Sequence, residues 1–109
     1  MSLNFIVKNN DTILKNKNDR LAKLLKLSAE NNKHAFKELY EKTSPSVYRL
    51  ALYLLQKKQR AEAVLEEVYI EIWQSCQCYD NKKSSVSAWI LDIARKQISN
   101  KLNEIRQCV

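Results

Sequence analysis

A chain of 109 residues with 45% apolar and 28% charged side chains is long enough for one modest core and too apolar to be unstructured throughout. It contains no glycine and one proline, which disfavours sheets whose tight turns need positive φ and excludes every glycine-rich phosphate loop. The formal charge of +7 is uneven. Residues 1–33 hold seven Lys/Arg against three acids, 34–80 hold six against seven, and 81–109 hold six against two. A basic balance fits nucleic acid or an anionic membrane surface, although solubility alone accounts for lysine equally well.

Residues 1–18 are rich in Asn and Lys without a sustained period and read as a loose tail, leaving 19–109 as the folded domain. Asp19 is a candidate N-cap for a short helix marked by Leu21, Leu24, Leu25 and Ser28, ending near Asn31–Asn32. Ala35, Phe36, Leu39, Tyr40, Thr43, Val47, Leu50, Ala51 and Leu54 predict a longer one. Ser44-Pro45 predicts a kink or restart within it. After a polar turn at 56–59, a third helix is expected from about Gln59 to Ser75, with Ala61, Val64, Leu65, Val68, Tyr69, Ile72 and Trp73 inward. Glu62, Glu66, Glu67 and Glu71 make its remainder acidic, with no Lys or Arg between 61 and 81. A loop, "CQCYDNKKSS", leads to a last helix capped by Ser84 or Ser85 and running to about Arg106. The fold class is therefore all-α, a compact bundle of about four helices.

Catalysis and cofactors find little support. His34 is the sole histidine, at a helix start on a polar face, without a partner to orient it as a base. Cys76 and Cys78 are too close for usual zinc spacing and no second pair follows, so no metal is expected. Three cysteines including Cys108, with no secretory leader and no apolar run of membrane-spanning length, point to free thiols in a reducing cytoplasm. The basic residues follow no single amphipathic face, which argues against a membrane-surface role.

Three segments in order, "AFKELYEKTSPSVYRLALYLL" (35–55), "AEAVLEEVYIEIW" (61–73) and "YDNKKSSVSAWILDIAR" (79–95), resemble region 2 of extracytoplasmic-function (ECF) sigma factors, the subunits that bring bacterial RNA polymerase to promoters. The resemblance covers about residues 34–106. It implies a non-enzymatic transcription initiation domain with two surfaces. One docks on the clamp coiled coil of the polymerase's largest subunit, and maps here to Glu62, Val64, Leu65, Glu66, Glu67, Tyr69 and Ile70. The other holds the −10 promoter element as single-stranded DNA with a base flipped into a pocket. That pocket maps to Tyr79, Ile93 and Lys96, with Asn81, Ser84, Ser85 and Ser87 on the loop shaping it. Asn100 falls on the same surface.

Lys82, Lys83, Arg95, Lys96 and Lys101 can neutralise phosphates without reading sequence. Trp89 is expected in the core against Tyr40 and Trp73. Members of the family are often held inactive by anti-sigma proteins, and no residue here identifies one. The sequence also departs from the family pattern. R-A-E-A at 60–63 replaces D-A-E-D, and Glu66 replaces a usual glutamine. Ser84 and Val86 replace a glycine and an aromatic, and Lys96 exchanges a donor–acceptor amide for a donor-only cation. Asn100 and Asn103 replace an acid and an arginine. These departures leave a second reading, a helical protein-interaction bundle that does not bind DNA.

Overall fold

Three glycine-free connections join the four helices described, and the first two turn on a residue with positive φ. The computed structural model describes residues 17–107, in which residues 17–29 are helical (α1), followed by α2 (Lys33–Leu55), α3 (Lys58–Ser75), a 3-10 turn (Cys76–Cys78) and α4 (Val86–Gln107). At the end of α1, Asn31 takes φ 67°. The Asn32 N–H then donates to the Leu27 carbonyl and the Asn31 N–H to that of Ser28, the paired closure of a Schellman end. At the end of α2, Gln56 takes φ 62° and its N–H donates to the Leu52 carbonyl at 2.8 Å. Asn tolerates this left-handed region; for glutamine it costs about 1–2 kcal/mol.

Helix starts are more conventional. The Asn32 side chain accepts from the Ala35 N–H at 3.1 Å, and Ser85 Oγ accepts from the Ala88 N–H at 3.2 Å, so Ser85 rather than Ser84 caps α4. Three expectations are corrected. Residues 17–20 are already helical, so Asp19 is not an N-cap and residues 17–18 are not tail; the rest of the expected tail lies outside the described residues. The turn after α2 is only Gln56 and Lys57. Finally, α2 runs unbroken through Pro45. Proline deprives only the Glu41 carbonyl of its helical partner, and Glu41 is exposed. Thr43 and Val47, on either side of the proline, are buried in the same phase, so breaking the helix would uncover both.

One core joins all four helices. Leu21 and Leu25 from α1 meet Leu39, Val47, Ala51 and Leu55 from α2, the 61-64-68-72 stripe of α3, and Val86, Ile90, Ala94 and Ile98 from α4. An Arg20–Glu38 ion pair at 3.1 Å adds an exposed tie between α1 and α2.

Gln56→Gly relieves the left-handed strain and is expected to raise stability by about 0.5–1 kcal/mol, net of the greater freedom glycine gives the unfolded chain. Thermal melts check this; an unchanged or lower Tm would show that Gln56 is held without strain.

Candidate functional site

The surfaces follow from the rotational phase of α3. At about 100° per residue, burying Ala61, Val64, Val68 and Ile72 puts Glu62 and Glu66 on one flank and Glu67 and Glu71 on the other. The first flank faces α2 across an open groove of about 570 Å³. Its floor is aromatic: Phe36 meets Trp73 edge-on at 5.0 Å between ring centres, and Tyr40 meets Tyr69 at 4.7 Å. Leu65 and the 45% exposed Ile70 extend the apolar lining, while Glu62 and Glu66 add charge. Tyr69 is anchored below by its hydroxyl's hydrogen bond with Thr43, whose own Oγ1 donates to the Leu39 carbonyl. Burial pushes the Tyr69 phenol up to about 12, the bond to Thr43 opposing and Tyr40 adding to the rise. Tyr69 is therefore a neutral structural floor.

On the other flank Glu71 reaches α4. Its carboxylate accepts from Lys96 Nζ at 2.6 Å and from Gln97 Nε2 at 2.7 Å. Partial burial works against its charge, but the hydrogen bonds from Lys96 and Gln97 and the charge of Lys96 prevail and hold the carboxyl below its ordinary value. Arg95 pairs with Asp92 and Lys101 with Glu104, so three α4 cations are each engaged by a carboxylate within the fold.

At the start of the 79–85 loop, Tyr79 donates from its hydroxyl to the Ser84 carbonyl at 2.7 Å, and its ring meets Trp89 edge-on at 5.5 Å. Burial raises the phenol, with nearby Asp80 adding to it. The Lys82 N–H donates to Asp80 Oδ1 at 2.9 Å, which stiffens the turn without glycine. Tyr79 and Asn81 line a second cleft, of about 530 Å³, whose opposite wall is α1.

A family model described as Sigma-70 region 2 matches residues 39–107, from the second turn of α2 to the end of α4. The chain belongs to the sigma-70 region 2 family. Among curated relatives, proteins named ECF RNA polymerase sigma factor SigK from Mycobacterium bovis and Mycobacterium tuberculosis are 32% identical over 74 residues, covering 68% of this chain and 40% of the relative. The protein of that name from Mycobacterium sp. strain KMS has the same identity over 38% of its length. The chain thus spans about two fifths of the curated relatives it matches.

Of the residues expected to meet polymerase, Glu62, Leu65, Glu66 and Ile70 share the groove, and Tyr69, only 5% exposed, lies beneath it as a buried floor. Val64 does not: it is 3% exposed in the core and unavailable to a partner without unfolding. Glu67 is exposed on the opposite flank, beside Asn100 and Lys101. Of the expected DNA set, Tyr79 and Asn81 share the second cleft, and Lys82 and Lys83 are exposed on the loop. Ser84, Ser85 and Ser87 are half-buried, Ser84 accepting from Tyr79 and Ser85 serving as cap. Ile93 is only 8% exposed in the core, and Lys96 is bound to Glu71, so neither is presented freely as a pocket wall.

Trp89 does not join Tyr40 and Trp73 as expected, because Val86, Ile90 and Ala94 occupy the core-facing stripe of α4 and leave Trp89 half-buried against Tyr79. Sequence reasoning missed Phe36 and Tyr40 as groove residues, although their i, i+4 spacing on α2 put them on one face. His34 is exposed, and no helix among the described residues is long and apolar enough to cross a membrane.

Because the Glu71 carboxyl is depressed in the fold, its contribution is present above the unfolded carboxylate value and is lost as pH falls through the folded one. Glu71→Gln should cost under about 1 kcal/mol at neutral pH, as Lys96 is largely exposed. Melts in a pH series should show that difference vanishing in acid; a difference that persists unchanged would mean packing, not charge, is lost.

Proposed function

We propose that this chain acts in transcription initiation as an ECF-type sigma region 2 domain. In this reading the α2–α3 groove docks a basic segment of the RNA polymerase clamp coiled coil, and the Tyr79 corner holds the non-template strand of the −10 element. The observation that carries the docking half is one groove combining an aromatic and apolar floor with Glu62 and Glu66. Only a weak, 4.0 Å contact with Lys58 reaches Glu62, and no described cation pairs with Glu66. Like charges at i, i+4 repel slightly on a helix, so the pair is better explained by a basic partner than by self-stability. The carboxylates would raise association rate and discriminate partners, while Leu65, Ile70 and the aromatic floor supply affinity. No bond is made or broken; the domain binds and positions.

The DNA half is supported by an aromatic ring beside a lysine-bearing loop, a combination that stacks an unpaired base and attracts phosphate. A second reading, docking without DNA binding, draws on the pairing of Arg95, Lys96 and Lys101 to carboxylates of the fold.

Calorimetry against an isolated clamp coiled coil at low salt should detect binding that Glu66→Lys weakens about tenfold or more and Glu67→Lys by no more than about threefold. Absence of binding, or equal weakening by both, would remove the groove as the docking surface. In a fluorescence titration with single-stranded −10-like DNA, Tyr79→Ala should weaken binding by about fivefold or more, since one stacked base contributes about 1–3 kcal/mol. Sequence-blind binding untouched by that change would favour docking alone.

A further inference from the structure

The cleft behind Tyr79 has a wall that the promoter-binding reading does not use. Across from Tyr79 and Asn81 stands α1, which contributes Ala22, Leu25 and Ala29 to an apolar surface and Lys23 and Lys26 as charge. The side chain of Gln77 donates to the Ala29 carbonyl at 3.3 Å and joins the two walls. Buried Cys76 completes the apolar side; desolvation raises its thiol, so it stays neutral.

The ion pairs show where positive charge is left over. Arg20, Lys58, Arg95, Lys96 and Lys101 each have a carboxylate partner within the fold. Lys23, Lys26, Lys82 and Lys83 pair with no described carboxylate. Other described cations, Lys37, Lys42 and Arg106 among them, also lack a carboxylate partner, so what sets Lys23 and Lys26 apart is their place in the wall of the Tyr79 cleft, with Lys82 and Lys83 following it on the loop. One carboxylate, Asp80, also lines the cleft, but it accepts the Lys82 N–H and stands against two lysines.

We infer that Lys23 and Lys26 of α1 form a single-strand nucleic-acid contact, binding the phosphates that flank a base seated in the Tyr79 cleft. The inference rests on the reading that this corner binds the promoter strand, and adds α1 as its second wall. The cleft's volume, about 530 Å³, falls within the range of ligand pockets and exceeds what one base needs. Tyr79 offers a ring for stacking, Asn81 an amide with both donor and acceptor for a base edge, and the lysines take the backbone. An acidic peptide would use the lysines but leave the ring and apolar surface without a matching planar group.

Fluorescence anisotropy of the 109-residue protein with a labelled single-stranded −10-like oligonucleotide, across a salt series, tests this. Relative to the unaltered chain, Lys23→Ala/Lys26→Ala should weaken low-salt binding about 5- to 30-fold and flatten the log–log salt dependence by about 1.4, or about 0.7 for each phosphate no longer neutralised. Lys37→Ala/Lys42→Ala removes the same charge from α2 and controls for net charge. Alanine suits a helix, so all variants should fold, which melts confirm. Equal weakening in both double variants overturns the inference in favour of diffuse attraction. Unchanged binding in the α1 variant overturns it while leaving the promoter-strand reading intact, and failure of the unaltered chain to bind DNA removes both. A polyglutamate peptide that displaces the oligonucleotide at equal charge concentration would reassign the cleft to acidic protein.

Discussion

The angular setting of α3 governs this molecule. Ala61, Val64, Val68 and Ile72 are all but inaccessible, and α3 packs on both α2 and α4, so rotating it by one residue would expose the stripe and bury a glutamate. Burying an unpaired carboxylate costs several kcal/mol, and exposing an isoleucine forfeits about 2 more. With the phase fixed this firmly, the remaining positions have no freedom to choose their surroundings. Glu62, Glu66 and Ile70 must look toward the α2 side, and Glu67 and Glu71 toward α4.

That geometry turns one acidic run into two chemical environments. On the α2 side the carboxylates border an aromatic groove and keep their charge available. On the α4 side Glu71 consumes the charge of Lys96 and a hydrogen bond from Gln97, converting a potential phosphate ligand into a tie between helices. The energy of such a half-exposed tie is small. It also offsets the charge of Lys96, whereas Lys23 and Lys26 in the wall of the Tyr79 cleft pair with no described carboxylate.

Helix number, order and most of the core were legible in sequence because period and burial agree. Leu39, Val47, Ile72, Ile90 and Ile98 all fall where three- and four-residue spacing puts them. The two turns were less so. Asn31 announces a left-handed end, whereas Gln56 carries no such mark and is driven there by packing on either side. The groove was partly legible: Glu66 and Ile70 could be placed, but their aromatic floor came from Phe36 and Tyr40 on a different helix. The splitting of the acidic row was available from helix angles alone. Neutralisation of Glu71 was not, since its cation lies 25 residues on and meets it only through the α3–α4 packing. Val64 and Ile93 illustrate another limit, because motif correspondence assigns a position to a surface without saying whether its side chain is buried.

The two halves of the molecule also differ in how much order they require. The groove is built on two long helices whose facing side chains are locked by edge-on aromatic contacts and the Thr43–Tyr69 bond, so a partner meets a surface already organised. The Tyr79 corner is a loop held by a few polar contacts: Tyr79 to Ser84, Asp80 to Lys82, and Gln77 to Ala29. Without glycine, each of those side-chain bonds substitutes for backbone freedom and narrows the loop's alternatives. A strand of nucleic acid, itself flexible, gains most from such restraint, because ordering it is costly and a preset ring and amide reduce how much more must be fixed. The bonds that replace glycine in the turn therefore also fix the shape of the cleft, and the proposed strand contact would draw on the same three contacts.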